Sequence, residues 1–393
     1  MKNFLLRFPH LGQGIYEMLD DENLVKCKEV SKPWSFFMDQ ERFFWKRIIK
    51  KLVGDYDDFQ KAWKVALKNA DIELLKELGC VVKSFYSIHP SKCNDKENCK
   101  HRAIPFSPLH LCAEFGTVTL CKFLLSISVD KNPKNKADHG WTPLHEAAQE
   151  GHLEIYSEII NHLDVKNAVS DDHGSTPLHH AAFKGHLEIC LVTLNHSTEK
   201  NPMNKKGFTP LHYAANGGHL NVCQSIMDLL SDKNPRCSLG FTPLHVAATF
   251  GYIDICKYIV SQTGDKDPMT DLGYRPLHQA AEHGHLDICK YLMYESSDKN
   301  PRSMIGNTPL HLAALEGKSM VFDYIMKQVQ NKNPSNLDGY TPLHRAAKGG
   351  HIDICKLILE KVTNKSPMSN YEETPLDLAR EMKYVEIIEL LSD

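Results

Sequence analysis

Twelve cysteines and 22 histidines are the side chains of this sequence with the most obvious chemistry. A thiolate attacks electrophiles or binds soft metals, and an imidazole moves protons or ligates zinc. Their spacing decides which of these is open to them. Six cysteines, Cys121, Cys190, Cys223, Cys256, Cys289 and Cys355, each stand five residues after a glycine, and Tyr156, Phe322 and Ile388 occupy the equivalent places. A position that accepts Cys, Tyr, Phe and Ile alike is an apolar packing position, so these thiols are expected to be buried, reduced and slow to react. Eight of the histidines end a recurring tetrapeptide and five follow a recurring glycine, which assigns them to architecture rather than to a metal. What remains is Cys93, Cys99 and His101, with Cys80 and His89 nearby. Tetrahedral zinc needs four N or S ligands, and Cys-x5-Cys-x-His is not one of the spacings that supply them. A solvated surface loop is expected there, with no metal and no cofactor. The chain has no G-x-S-x-G, no phosphate-binding glycine loop and no H-E-x-x-H. No catalytic residue is assigned, and the chain is expected not to be an enzyme.

The elements that carry these residues repeat. Thr-Pro-Leu-His stands at Thr142 to His145, Thr176 to His179, Thr209 to His212, Thr242 to His245, Thr308 to His311 and Thr341 to His344. Ser107 to His110, Arg275 to His278 and Thr374 to Asp377 are variants of it. Successive first positions are 35, 34 and then six times 33 residues apart. Within each unit Thr caps a helix and Pro takes the first turn, where its missing N–H costs nothing. An Ala pair such as Ala214 and Ala215 keeps that inner helix thin enough for close approach. A glycine (Gly151, Gly185, Gly218, Gly284, Gly350) then ends it in a left-handed turn, and a second, outer helix begins. Asn-Pro pairs such as Asn201 and Pro202 close the outer helix and lead into an extended turn.

A period of 33 carrying this tetrapeptide resembles the ankyrin repeat, in nine copies from about residue 107 to the C-terminus. The resemblance implies an all-α solenoid of helix-turn-helix repeats with β-turn fingers, in which the tetrapeptide histidine ties one repeat's turn to the next. Asp377 and Lys383, in place of the motif His and the turn Gly, mark residues 374–393 as a C-terminal cap. Residues 55–106 read as a degenerate first repeat, with Trp63, Val65, Ala66 and Leu67 in inner-helix places, followed by the long loop described above. Residues 1–54 lack the tetrapeptide and read as three short helices. Their order, Phe8-Pro9, Leu11, Ile15, Leu19-Asp20, Leu24, Val30-Ser31-Lys32, Trp34 and Trp45, resembles the F-box, with Phe8 where Leu is commoner. A helical cap sealing the first repeat is the alternative reading of that segment.

Composition narrows the partners. A formal net charge of −3 leaves no footprint for nucleic acid or an acidic membrane. No run of about 18 apolar residues occurs, and the N-terminal run Phe4 to Leu6 is too short for a signal peptide, so the cytoplasm or the nucleus is expected. A monomer is expected. The F-box resemblance implies docking of a Skp-type adaptor of a cullin-RING ubiquitin ligase through Pro9, Leu11, Ile15, Leu24, Val30 and Trp34. The ankyrin resemblance implies a groove for a protein target. Its candidate residues are the aromatics before the tetrapeptide (Trp141, Phe208, Phe241, Tyr274, Tyr340), the finger tips (Leu239, Leu272, Ile305, with Met304 and Leu337), and outward places on the inner helices (Tyr213, Val246, Phe250, Leu312, Arg345). The combined reading is a substrate-recruiting ligase adaptor. Its alternatives are a plain ankyrin scaffold or anchoring protein, or a host-directed effector of a parasite, symbiont or virus.

Overall fold

The computed structural model describes residues 107–127, 130–135, 140–163 and 173–392. The F-box-like segment with Pro9, Leu11, Ile15, Leu24, Val30 and Trp34, the degenerate repeat, and Cys93, Cys99 and His101 lie outside the described residues. The chain divides into two compact units, residues 1–198 and 199–393. All regular structure among the described residues is α-helical, and it comes in inner and outer helix pairs, one pair per repeat.

In the first unit the pairs are α1 (Pro108–Phe115) with α2 (Val118–Ile127), α3 (Pro143–Glu150) with α4 (Leu153–Asn161), and α5 (Pro177–Lys184) with α6 (Leu187–His196). The second unit begins with α7 (Pro210–Gly217) and α8 (Leu220–Met227), α9 (Pro243–Phe250) and α10 (Ile253–Gln262), and α11 (Pro276–His283) and α12 (Leu286–Glu295). It continues with α13 (Pro309–Leu315) and α14 (Ser319–Gln328), α15 (Pro342–Gly349) and α16 (Ile352–Leu359), and α17 (Pro375–Met382) and α18 (Val385–Ser392). Every inner helix starts with the tetrapeptide proline. The residue before it is an extended N-cap, and the third helical residue, where the Glu or Gln of a capping box is usual, is the motif histidine in every inner helix but α17, which has Asp377.

Successive inner helices pack side by side within each unit, as do successive outer helices. The motif leucines and Ala pairs make this contact, and residues such as Leu144, Ala147, Leu244 and Ala247 are wholly buried. On the outer helices the six repeat cysteines are fully buried, as are Tyr156 and Phe322. The packing assignment made from their alternation therefore holds, with one difference: Ile388, at the same place in α18, is only half-buried. Burial pushes the thiols of Cys190, Cys223, Cys256, Cys289 and Cys355 up to about 12. The turn glycines adopt the left-handed backbone their spacing predicts, with φ of 80° at Gly218.

Candidate functional site

The surface available to a partner is positioned by two sets of histidine bonds, and the first belongs to the tetrapeptide. In the second unit the N-cap amide donates to the histidine Nδ1 at 3.0 to 3.2 Å for His212, His245, His278, His311 and His344. An Nδ1 that accepts an N–H carries no proton, so the ring's proton is on Nε2. That Nε2 donates to a carbonyl of the next finger: Phe241, Tyr274, Asn307, Tyr340 and Glu373, at 3.0 to 3.1 Å. In the first unit His110 and His145 reach the carbonyls of Trp141 and Ser175 in the same way. A proton on Nδ1 would break the cap, and the motif rings are buried. Burial accordingly holds His145 and His311 down to about 3, and His212, His245 and His278 to about 4.

The second set was not legible in the sequence. The histidine after the turn glycine points the other way, back to the preceding inner helix. His152 and His186 donate from Nε2 to the carbonyls of Glu114 and Gln149, at 3.1 Å, and His285 and His351 to those of Thr249 and Leu315, at 2.9 Å. These rings cover the glycines they pass. A Cβ on Gly151 would come within 2.5 Å of the His186 ring. Where the residue is not His, Tyr252 covers Gly218, and the aliphatic stem of Lys318 covers Gly284. The available signal was that, after the first repeat's Gly116-Thr117, Gly-His varies to residues with a long side chain, Tyr252 and Lys318.

The linkers carry a further unread bond. In the Asn-Pro pairs the Asn Oδ1 of Asn132, Asn201 and Asn333 accepts the second-residue amide of an inner helix, Leu144, Leu211 and Leu343, at 3.1 to 3.2 Å. This satisfies an orphan donor of the first turn. In one repeat Asp267 replaces that Asn and Arg275 replaces the capping Thr, and the two pair at 2.7 Å.

Fingers of the second unit are joined by a ladder of backbone bonds. The amides of Ser238, Asp271, Met304, Leu337 and Asn370 donate to the carbonyls of Lys206, Leu239, Leu272, Ile305 and Asp338, at 2.9 to 3.1 Å. The ladder holds each finger tip out from its turn. Leu239, Leu272 and Ile305 are 64%, 61% and 46% exposed, and Met304 and Leu337 are exposed beside them.

The candidate residues therefore divide. The finger tips and Phe250, 50% exposed, are open to solvent. The aromatics before the tetrapeptide are half-buried and lie edge-on against their own motif histidines: Phe208, Phe241, Tyr274 and Tyr340 stand 5.3 to 5.6 Å from His212, His245, His278 and His344. They shield the histidine bonds from water as much as they face a partner. Trp141, in the first unit, is 4.4 Å from His180. Val246 and Leu312, expected to face outward, are buried at 8% and 7% exposure. The close approach that the Ala pairs allow shuts this helix position against the neighbouring repeat, so neither presents a surface. Tyr213 is half-buried with its hydroxyl 3.3 Å from the Asn204 amide nitrogen, and Arg345 lies over the Tyr340 ring at 5.2 Å. Among the described residues no group of three His, Cys, Asp or Glu side chains is arranged to hold a metal ion. No described helix is long and apolar enough to cross a membrane.

Comparison with known proteins agrees with this geometry. Residues 64–167, 109–201, 191–270, 263–336 and 310–393 match the model of a family described as ankyrin repeats (3 copies). A stretch of 70 residues, 18% of this chain, is 41% identical to human transient receptor potential cation channel subfamily A member 1, of which it covers 5%.

Proposed function

We propose that this chain, which belongs to the ankyrin-repeat family and is a protein–protein interaction module, is a substrate-recruiting adaptor of a cullin-RING ubiquitin ligase. In this reading the finger tips and inner-helix ends hold the protein to be ubiquitylated, and residues 1–54 dock a Skp-type adaptor. The chain itself does no covalent chemistry, and the catalytic thiol belongs to another polypeptide. The observation that carries the ligase half is the order of residues Phe8-Pro9, Leu19-Asp20, Val30-Ser31-Lys32, Trp34 and Trp45. A cap needs one apolar face and has no reason to reproduce those spacings together. The binding half is supported by the apolar finger tips, which the backbone ladder holds in solvent instead of folding them inward.

The test is capture of a purified Skp-type adaptor by the full chain, by the chain lacking residues 1–54, and by a Pro9→Ala, Leu11→Ala variant. Capture by the full chain alone supports the reading, provided the variant keeps its helix content by circular dichroism. Absence of capture by the full chain reduces the protein to a plain ankyrin scaffold whose N-terminal segment is a cap.

A further inference from the structure

Along the inner helices of the second unit, the place that follows the motif His or Asp is mostly shut against the neighbouring repeat. Val246, Gln279, Leu312 and Leu378 stand there at 8%, 8%, 7% and 4% exposure. In α15 the same place holds Arg345, whose longer side chain reaches past the stack and is only half-buried. Its guanidinium lies over the Tyr340 ring, 5.2 Å from the centroid, and a ring face orients a cation without offering it a hydrogen-bond acceptor. Among the described residues no carboxylate pairs with Arg345 and no carbonyl accepts from its side chain. Glu373 accepts the Tyr340 hydroxyl and makes no pair with the guanidinium beside it. Lys348, one turn further along, is exposed, and α15 carries no acidic residue. Apolar surface adjoins this cation. Tyr371 is 64% exposed, with its ring 6.1 Å from that of Tyr340. Leu337, 66% exposed, is tied to the same finger, because the Asn370 side-chain amide donates to the Leu337 carbonyl at 2.8 Å.

A guanidinium partly withdrawn from water, with no acceptor among its neighbours, has lost hydration that nothing in the chain returns. A carboxylate returns it, since its two oxygens match the fork of N–H donors. The stack on Tyr340 fixes the guanidinium before a partner arrives, so less side-chain freedom is lost on docking than for a solvated arginine. The Tyr371 ring and Leu337 add apolar contact area next to the charge. We propose that Arg345, Tyr340, Tyr371 and Leu337 form a docking subsite for a protein segment that presents an aspartate or glutamate beside an aromatic or aliphatic side chain, the carboxylate on Arg345 and its apolar neighbour on Tyr371 and Leu337. The inference rests on reading the chain as a protein-binding module and narrows that reading to a class of partner; it does not depend on residues 1–54.

A phage library of random 12-residue peptides panned on the immobilised full chain tests it. Enriched peptides are expected to carry an acidic residue next to an aromatic or aliphatic one. Synthetic copies should bind about tenfold or more weakly to an Arg345→Gln chain, and should lose as much when their own acidic residue is replaced by its amide. Their binding should also fall as salt is raised and on a Tyr371→Ala chain. Both side chains reach solvent and support no neighbour's hydrogen bond, so circular dichroism is expected to show the folded chain in each case. Enriched peptides without an acidic residue, or equal binding to the Arg345→Gln chain, overturn the inference and leave the binding module standing. No enrichment at all overturns both.

Discussion

An interior repeat and the last repeat solve the same capping problem with different residues. In the repeat that begins at Thr242, His245 accepts the Thr242 amide at Nδ1, 3.2 Å away, and donates from Nε2 to the Tyr274 carbonyl at 3.0 Å. In the last repeat Asp377 accepts the Thr374 amide at 2.9 Å and the Thr374 hydroxyl at 2.6 Å, and a carboxylate has no proton to pass on. The cap is kept and the cross-link is gone. The two turn glycines follow suit: Lys383 and Glu372 take left-handed backbone, at φ of 61° and 62°, where interior repeats have Gly350 and Gly339. The neighbour, more than the helix itself, is what demands His and Gly. A ring can bridge to the next finger only if its second nitrogen is protonated, and a neighbour's ring can cross a turn only if no Cβ stands there.

The contrast is most easily broken at the thiols. Cys355 is buried and raised to about 12, whereas Ile388 at the equivalent place is half-open. An Ile388→Cys chain treated with a thiol reagent at pH 8 is expected to react at the new site faster than at Cys355 by roughly a hundredfold or more, because the thiolate is the reacting species. Equal rates would mean that the outer helices of the last and interior repeats are packed alike.

Exchanging the cap residues should give the next largest effect. His245→Asp puts a carboxylate into a buried site facing the Tyr274 carbonyl, and is expected to cost about 3 kcal/mol or more. Asp377→His, at an exposed cap, should stay within about 0.5 kcal/mol. Urea midpoints, with hydrogen exchange to locate the loss, measure both; similar costs would refute the separation of cap from cross-link.

Acid should act on the interior repeats first. His212, His245 and His278 take a proton near pH 4 when folded and near 6.5 when unfolded. The unfolded chain thus binds more protons between these values, so stability is full above about 6.5 and falls as the pH drops towards 4. Asp377, held below the usual carboxylate range by its bonds to Thr374, adds its loss only at lower pH. A urea midpoint that is flat from pH 7 to pH 5 would contradict buried neutral histidines.

The glycine positions give the smallest effects, of opposite sign. Gly218→Val combines positive φ with a Cβ only 2.5 Å from the Tyr252 ring. It is expected to cost about 1 to 3 kcal/mol, seen as faster exchange chiefly in the adjoining repeats. Lys383→Gly relieves left-handed strain and should raise stability by up to about 1 kcal/mol.

Much of this architecture is legible in the residues alone. The helix starts and the left-handed turns follow from signals within one repeat, a cap, a proline, two alanines and a glycine, and the buried cysteines from their alternation with Tyr156 and Phe322 between repeats. Repetition makes each signal a confirmation of the last. The candidate surface was legible only in part. Leu239, Leu272 and Ile305 are open because a turn has no helix behind which to hide them, and their place in the turn predicted this. Phe241 and Tyr274 looked equally exposed by the same counting, yet their rings rest on His245 and His278.

The amino-acid sequence by itself determined the period, the helix pairs and the residues that must be small, apolar or free to take positive φ, since those requirements are local. Only the tertiary structure decided which way each histidine reaches and that Val246 and Leu312 are shut in. These facts depend on how closely a residue some 30 positions away is brought, and packing between repeats sets that distance.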